Sequence, residues 1–142
     1  MSQKIHFFVE EIEFTLKSKM KLRKWIQATL ENEDFFLGEL NFIFCSDSYL
    51  LKINQEYLNH DTFTDIITFD NSEKSKEISG DIFISIDRVV ENASTFSLEF
   101  KDELHRVMIH GILHLMGYSD KNKEEKYLMT EKENEYLAQR WK

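Results

Sequence analysis

The segment HGILHLMGYSD, residues 110–120, holds two histidines and an aspartate that could bind a metal ion. His110 and His114 are four residues apart, so on a helix their Cβ atoms lie about 5–6 Å apart on one face. One helix can present two nitrogens to a single cation in this way. Gly117 can end the helix in a left-handed conformation and return Asp120 towards the histidines. The pattern predicts three protein ligands and an open position, which is typical of catalytic zinc sites.

Structural roles for the same residues remain open. The histidines could be hydrogen-bonded core residues, and Asp120 could cap the next helix or lie in solvent. Residues 98–116 are apolar on nearly every side of a helix, which indicates burial. One narrow stripe of this helix holds Glu103, Arg106, His110, His114 and Gly117. Because buried polar groups are costly without partners, this stripe favours the metal site.

Gly111 argues against a peptidase mechanism at this site. The spacing resembles the H-E-x-x-H-x-x-G-x-x-H pattern of zinc proteases, in which the glutamate acts as general base. Gly111 stands at the position of that glutamate, so we expect hydrolysis of a bond other than a peptide. In mid-helix it costs about 1 kcal/mol relative to alanine, and we expect it to admit a neighbouring backbone or a substrate. One Zn²⁺ per chain is the expected ion, although two histidines and a carboxylate also suit iron, nickel or cobalt.

The elements that position this segment follow from hydrophobic periodicity and capping residues. Four strands are predicted, at residues 4–10, 39–45, 64–70 and 80–86. Five helices are predicted, at residues 16–31, 46–59, 87–96, 98–117 and 123–141. This order predicts an α+β fold with a mixed, mostly parallel sheet packed by helices, the histidine helix being central. Without repeats or linker-like segments, residues 1–142 are expected to form a single domain.

Composition and charge limit the classes of function. The chain is 42% hydrophobic and 31% charged, and its apolar runs are too short to span a bilayer. Cys45 is the only cysteine, so we expect a buried thiol and a reducing, cytoplasmic compartment. The net charge of -8 argues against binding nucleic acid over the whole surface. Residues 17–24 nevertheless carry five of the 18 Lys and Arg, which indicates either a solvated helix face or a phosphate-binding strip.

The segment HGILHLMGYSD resembles H-G-x-L-H-L-x-G-Y-D-H, the signature of the YbeY family of bacterial metal-dependent endoribonucleases. Seven residues match in place: His110, Gly111, Leu113, His114, Leu115, Gly117 and Tyr118. A second family segment matches at Asn54, Tyr57, Asp61, Thr64, Asp65 and Phe69. A third matches at Gly80, Asp81, Ile82, Ile84 and Ser85. The resemblance covers roughly residues 39–120.

This resemblance implies a single-strand-specific endoribonuclease of rRNA maturation and ribosome quality control, acting at the 3′ end of small-subunit rRNA. The implied partner is the small ribosomal subunit, with no membrane or DNA partner and an assumed monomer. The site residues are then three groups: His110, His114 and Asp120 as zinc ligands; His114 and Arg106 as catalytic candidates; and Lys21, Arg23, Lys24 and His60 as substrate-binding candidates. Asp65 and Asp81 are expected to support ligands or cap elements. Arg106 could instead pair with Glu103.

Two departures from the family pattern keep other functions open. Ser119 and Asp120 replace Asp-His, and we expect the carboxylate to make the metal a weaker Lewis acid than a third histidine would. Leu58 replaces an arginine suited to a phosphate, and Arg106, Arg88 or His60 could substitute for it. The alternatives are a non-catalytic ribosome-associated metal-binding factor and a small zinc hydrolase acting on peptides or nucleotides.

Overall fold

The computed structural model describes residues 4–59 and 64–141. Within them, the strands are β1 (Ile5–Glu10), β2 (Phe36–Cys45), β3 (Ile66–Asp70) and β4 (Glu77–Ser85). The helices are α1 (Lys19–Asn32), α2 (Asp47–Leu58), α3 (Ile86–Thr95), α4 (Phe100–Leu115) and α5 (Lys123–Leu137). Every predicted element is present, with shifted boundaries.

The sheet has the order β1-β2-β4-β3. Strands β1 and β2 are parallel, as are β2 and β4, whereas β3 pairs antiparallel with β4 through the predicted hairpin. The mixed, mostly parallel α+β sheet is therefore confirmed. Because parallel neighbours require crossovers, helices separate β1, β2 and β3 along the chain and pack on the sheet.

Two observed strands start earlier than predicted, each before a glycine that the sequence placed at the strand boundary. The sequence places strand starts beside Gly38 and Gly80, yet β2 and β4 each begin earlier and run through these residues. Gly38 lies at a register shift between β2 and β4. A Cβ on Gly80 would approach the Phe69 carbonyl oxygen to 2.2 Å. Both glycines thus mark a bulge or a close approach within a strand rather than its end.

Side chains alternate between the two faces of the sheet. One face carries the main core, in which Phe42 and Ile82 pack with buried residues of α1, α3, α4 and α5. The other face carries a small cluster of Cys45, Ile67 and, from α2, Leu50. This arrangement places α4 on the larger core, with α3, α5, β3 and β4 as its neighbours.

Gly111 lets α4 lie close to the sheet. A Cβ at this position would lie 2.9 Å from Ile66 Cδ1 and 3.0 Å from Ile82 Cγ2. The expectation that Gly111 admits a backbone or a substrate is wrong, because the space is filled by two isoleucine side chains. Their closeness holds the sheet against the helix that carries the histidines.

Cys45 confirms its predicted structural role. It is fully buried, and burial raises the pKa of its thiol to about 12, so it remains a thiol at neutral pH. Among the residues that the structure describes, no helix combines the length and apolar character needed to cross a membrane.

Candidate metal centre

The loop after α4 is fixed at both ends. Gly117 has φ 104°, and its N–H donates to the His114 carbonyl at 3.0 Å, while Tyr118 N–H donates to the Leu113 carbonyl at 3.0 Å. These two bonds form a Schellman motif with glycine at the C′ position. At the other end, Asn122 and Glu125 form a capping box at the start of α5. Since Asn122 caps α5, the alternative helix-capping role for Asp120 does not apply.

This loop brings Asp120 to both histidines. Its Oδ2 lies 3.4 Å from His110 Nε2 and 3.5 Å from His114 Nε2. The three ligand atoms all lie within 4.8 Å of one another, and the two imidazole rings are nearly perpendicular, at 84°. Two imidazole nitrogens and one carboxylate oxygen converging in this way fit a single transition-metal ion.

The other ring nitrogens are held by hydrogen bonds. His114 Nδ1 lies 3.0 Å from the Tyr118 carbonyl oxygen, and His110 Nδ1 lies 2.6 Å from Glu133 Oε2. Both acceptors require a proton on Nδ1, which leaves the Nε2 lone pairs facing Asp120. Metal-ligating histidines are commonly oriented by such partners. This pairing of the two Nδ1 atoms is the strongest local sign that the Nε2 atoms are metal ligands.

Glu133, a residue of α5, joins the histidines to Arg106. Its side chain is 9% exposed, and its Oε1 accepts from Arg106 Nη1 at 2.7 Å. Arg106 Nη2 donates to Asn134 Oδ1 at 2.8 Å. The arginine therefore pairs with α5 through Glu133, whereas the sequence offers Glu103 as an alternative partner. Burial raises the pKa of Glu103, although the Arg106 charge opposes the rise.

Charges around His110 affect its protonation when no metal is bound. Burial alone favours the neutral ring, but the hydrogen bond and charge of Glu133, with smaller effects from Asp120 and Asp65, raise the pKa of His110 above its ordinary value. A proton therefore competes more strongly with a metal ion for His110 than for an ordinary histidine.

A cleft of about 360 Å³ borders His114. It is lined by Asn54, Leu58, Thr64, Ile66, Ile67, Thr68 and His114. Leu58, the position of the family arginine, thus lies at the edge of the candidate centre. The described wall of this cleft is uncharged apart from the histidine, so it offers apolar surface and hydroxyl groups instead of a phosphate-binding cation.

The predicted basic strip lies away from the ligands. Arg23 Nε donates to the Ile5 carbonyl at 2.9 Å, and Lys21 Nζ lies 5.7 Å from the Trp141 ring. Lys24 lines a small pocket with Trp141. These residues occupy the first half of α1. Glu33, at the other end of α1, contacts Tyr118 beside the candidate metal centre. At 1.5 Å per residue, Lys21 lies about 18 Å along the helix from Glu33. His60 lies outside the described residues.

The remaining candidates occupy different places. Asp65 lines a small cavity with Glu103, Arg106 and His110, so it lies near the centre. Asp81 pairs with Asn41 in β2, where Asn41 Nδ2 donates to Asp81 Oδ1 at 2.9 Å. The next residue along β4, Ile82, faces α4, so Asp81 lies on the opposite face of the sheet.

Arg88 was a candidate substitute for the missing family arginine. It forms an ion pair with Asp47 at 3.1 Å, close to the start of α2. The pairing gives Arg88 a role in joining α3 to α2.

Sequence reasoning missed Glu133 and Glu33. Glu133 could have been found, because it shares a helical face with the apolar residues Met129 and Tyr136, both buried. A polar residue on an apolar stripe was the signal that identified the histidines. Glu33 carries no such signal, since it follows the last residue of α1 and its partners are distant in sequence.

The fold and the site together define a class: an α+β protein with two histidines and an aspartate that could hold a metal ion at the end of its central helix. A family model described as Endoribonuclease YbeY matches residues 5–140. The chain belongs to the YbeY endoribonuclease family.

Relatives that align with most of the chain support this family assignment. Proteins named Endoribonuclease YbeY from Cytophaga hutchinsonii and Christiangramia forsetii are each 51% identical to this chain, over 136 and 134 residues. The alignments cover 96% and 94% of this chain and 95% and 92% of the relatives. The solution structure of TM1509 from Thermotoga maritima matches with a TM-score of 0.65 and 30% identity, covering 95% of this chain and 89% of that one.

Proposed function

We propose that this chain is a zinc-dependent endoribonuclease that cuts single-stranded rRNA near the 3′ end of the small-subunit rRNA, in the cytoplasm. Its partner is the small ribosomal subunit, and the whole of residues 1–142 serves as one catalytic domain. The observation that carries the proposal is the convergence of His110, His114 and Asp120 in a chain of an endoribonuclease family.

The residues present fit a catalytic ion. A bound Zn²⁺ would supply Lewis-acid polarisation of the phosphodiester and activation of water. His110 and His114 offer Nε2, and Asp120 offers Oδ2. Glu133 fixes the ring of His110 and Tyr118 fixes that of His114. With three protein ligands, the site retains room for a substrate oxygen, as catalytic zinc requires.

The cleft beside His114 favours an unpaired nucleotide. Its Leu58, Ile66 and Thr68 side chains offer apolar and hydroxyl contacts that suit a base freed from stacking. A base inside a duplex could not enter such a recess. Phosphates would contact Lys21, Arg23 and Lys24 further along the molecule, and Arg106, which is 31% exposed, is the cation nearest to the ligands among these candidates.

A second candidate function is a non-catalytic metal-binding factor of the ribosome. It is favoured by Leu58, which leaves the described wall of the cleft without an arginine, and by the engagement of Arg106 with Glu133 and Asn134. In this account the metal only stabilises the end of α4. For the small zinc hydrolase, Gly111 speaks against the peptide-cleaving version, because it occupies the position of the peptidase base, and an activity screen would decide the nucleotide version.

Cleavage of RNA by metal-loaded protein distinguishes these functions. We would compare wild type, Asp120→Ala and the control Glu124→Ala, which removes an exposed carboxylate from α5. The substrates are a single-stranded RNA and a structured fragment of small-subunit rRNA. Cutting by wild type and the control, but not by Asp120→Ala, supports the endoribonuclease. Equal, metal-independent cutting by all three indicates a contaminating nuclease and favours the binding factor.

A further inference from the structure

Glu33 is a largely buried carboxylate that connects three elements. It is the C-cap residue of α1, and its side chain is 13% exposed. Its Oε1 accepts a hydrogen bond from the Tyr118 hydroxyl at 2.7 Å. Its Oε2 accepts from Lys132 Nζ at 3.1 Å and from the Tyr136 hydroxyl. Glu33 therefore joins α1 to α5 and to the loop that carries Asp120.

These donors keep the carboxylate charged. Burial opposes ionisation, yet the hydrogen bonds from Tyr136, Tyr118 and Lys132, with the Lys132 charge, hold the pKa of Glu33 below its ordinary value. A charged acceptor forms stronger hydrogen bonds than a neutral one. The hydroxyl of Tyr118 is thus held by an ionised group in a partly buried environment.

Tyr118 transmits this anchoring to a metal ligand. Its carbonyl oxygen lies 3.0 Å from His114 Nδ1, its N–H closes the Schellman motif on Leu113, and its hydroxyl is bound by Glu33. The orientation of that carbonyl depends on where the tyrosine side chain is held. Asp120 follows two residues later in the same short loop, so the position of Tyr118 also affects the third ligand.

We propose that Glu33 is a positioning residue of the metal centre, which acts through Tyr118 to orient His114 and to place the loop of Asp120. The inference rests on the proposed function, because it assigns Glu33 a part in the same metal site. A carboxylate separated from the ligand loop by six helices and strands thereby determines how well the three ligands converge.

The test is the affinity of metal-free full-length protein for Zn²⁺, measured by competition with a chromophoric chelator, together with the visible spectrum of the Co²⁺ form. The variants are Glu33→Gln, Tyr118→Phe and their double mutant. Tyr136→Phe is the matched control, since it also removes a tyrosine hydroxyl from Glu33 but carries no contact to a ligand. Thermal unfolding of each metal-free protein records stability separately.

We expect Glu33→Gln and Tyr118→Phe each to weaken Zn²⁺ binding about tenfold, the lower end of the effect of removing a partner of a ligand, and to alter the Co²⁺ spectrum. The double mutant should lose no more than the weaker-binding single mutant, because both changes break one connection. Tyr136→Phe should lower stability and leave the affinity unchanged.

Three results would overturn the inference. One is wild-type Zn²⁺ affinity in Tyr118→Phe. This variant keeps the test available even if Glu33→Gln fails to fold. Another is additive losses in the double mutant. The third is an equal loss in Tyr136→Phe, which would show that the network affects the metal only through stability. Absence of Zn²⁺ binding in wild type would instead contradict the proposed function, so the two failures are distinguishable.

Discussion

Replacing Glu133 by glutamine should weaken metal binding 10- to 100-fold. Glu133 accepts from His110 Nδ1 at 2.6 Å through one oxygen and from Arg106 Nη1 at 2.7 Å through the other. Glutamine has the same shape but only one acceptor oxygen, so its NH₂ group must face one of these two donors. At 9% exposure, little water is available to relieve that clash.

The magnitude follows from these contacts. Losing the partner of a metal-bound histidine costs about 10- to 100-fold in affinity, which corresponds to about 1.4–2.7 kcal/mol. We expect the loss of metal affinity to reach the upper part of this range, because the substitution removes a charge-assisted hydrogen bond and introduces a misplaced donor. Loss of the ion pair with Arg106 should also lower the free energy of unfolding of the metal-free protein.

The assay is competition titration of Zn²⁺ into wild type, Glu133→Gln and the control Glu135→Gln. Glu135 lies on the same helix, is 42% exposed and forms an ion pair with Lys132 at 3.6 Å. The control should bind Zn²⁺ like wild type. Unchanged affinity in Glu133→Gln would refute the claim that Glu133 orients His110, and an equal loss in both variants would point to a general effect of charge.

Three further predictions concern stability and RNA binding. Burial, aided by the Arg140 charge, lowers the pKa of His105 from 6.5 to about 4. Because the unfolded state binds the proton more readily, the free energy of unfolding should fall by about 3 kcal/mol between pH 6.5 and 4. Urea denaturation should show a smaller fall in His105→Gln. Gly111→Val should destabilise the protein by about 1–3 kcal/mol in the same assay, because the valine side chain would clash with Ile66 and Ile82. Wild-type stability would mean that these isoleucines move aside at no cost. Leu58→Arg, at the edge of the cleft, should tighten binding of single-stranded RNA and steepen the log–log salt dependence of the binding constant by about 0.7, as measured by fluorescence anisotropy; an unchanged slope would place residue 58 away from the phosphates.

Much of the fold could be predicted because its signals are local. Alternation and 3.6-residue periodicity reflect burial on one face, and the elements of this chain pack mainly through one large core. The errors arose at glycines, whose effect depends on tertiary neighbours. Gly80 resembles a strand boundary in sequence, but it lies within β4 against the Phe69 carbonyl, a contact set only by the pairing of β3 with β4.

The site was predictable to the extent that it lies on one segment. His110, His114 and Asp120 lie within eleven residues, and Gly117 brings them together by a reversal that has a local cause. Their supporting partners come from elsewhere: Glu133 from α5 and Glu33 from the end of α1. A sequence pattern cannot state which distant carboxylate completes a histidine, because that choice depends on how helices pack.

The central claim, that His110, His114 and Asp120 hold one metal ion, is tested most directly by metal analysis. The protein would be purified without a histidine tag or added metal, and mass spectrometry would measure metal per chain in wild type and His114→Ala. We predict about one transition-metal ion per wild-type chain, as expected for a three-ligand site, and strong depletion in the variant. Metal-free wild type, or equal metal content in both proteins, would contradict the account.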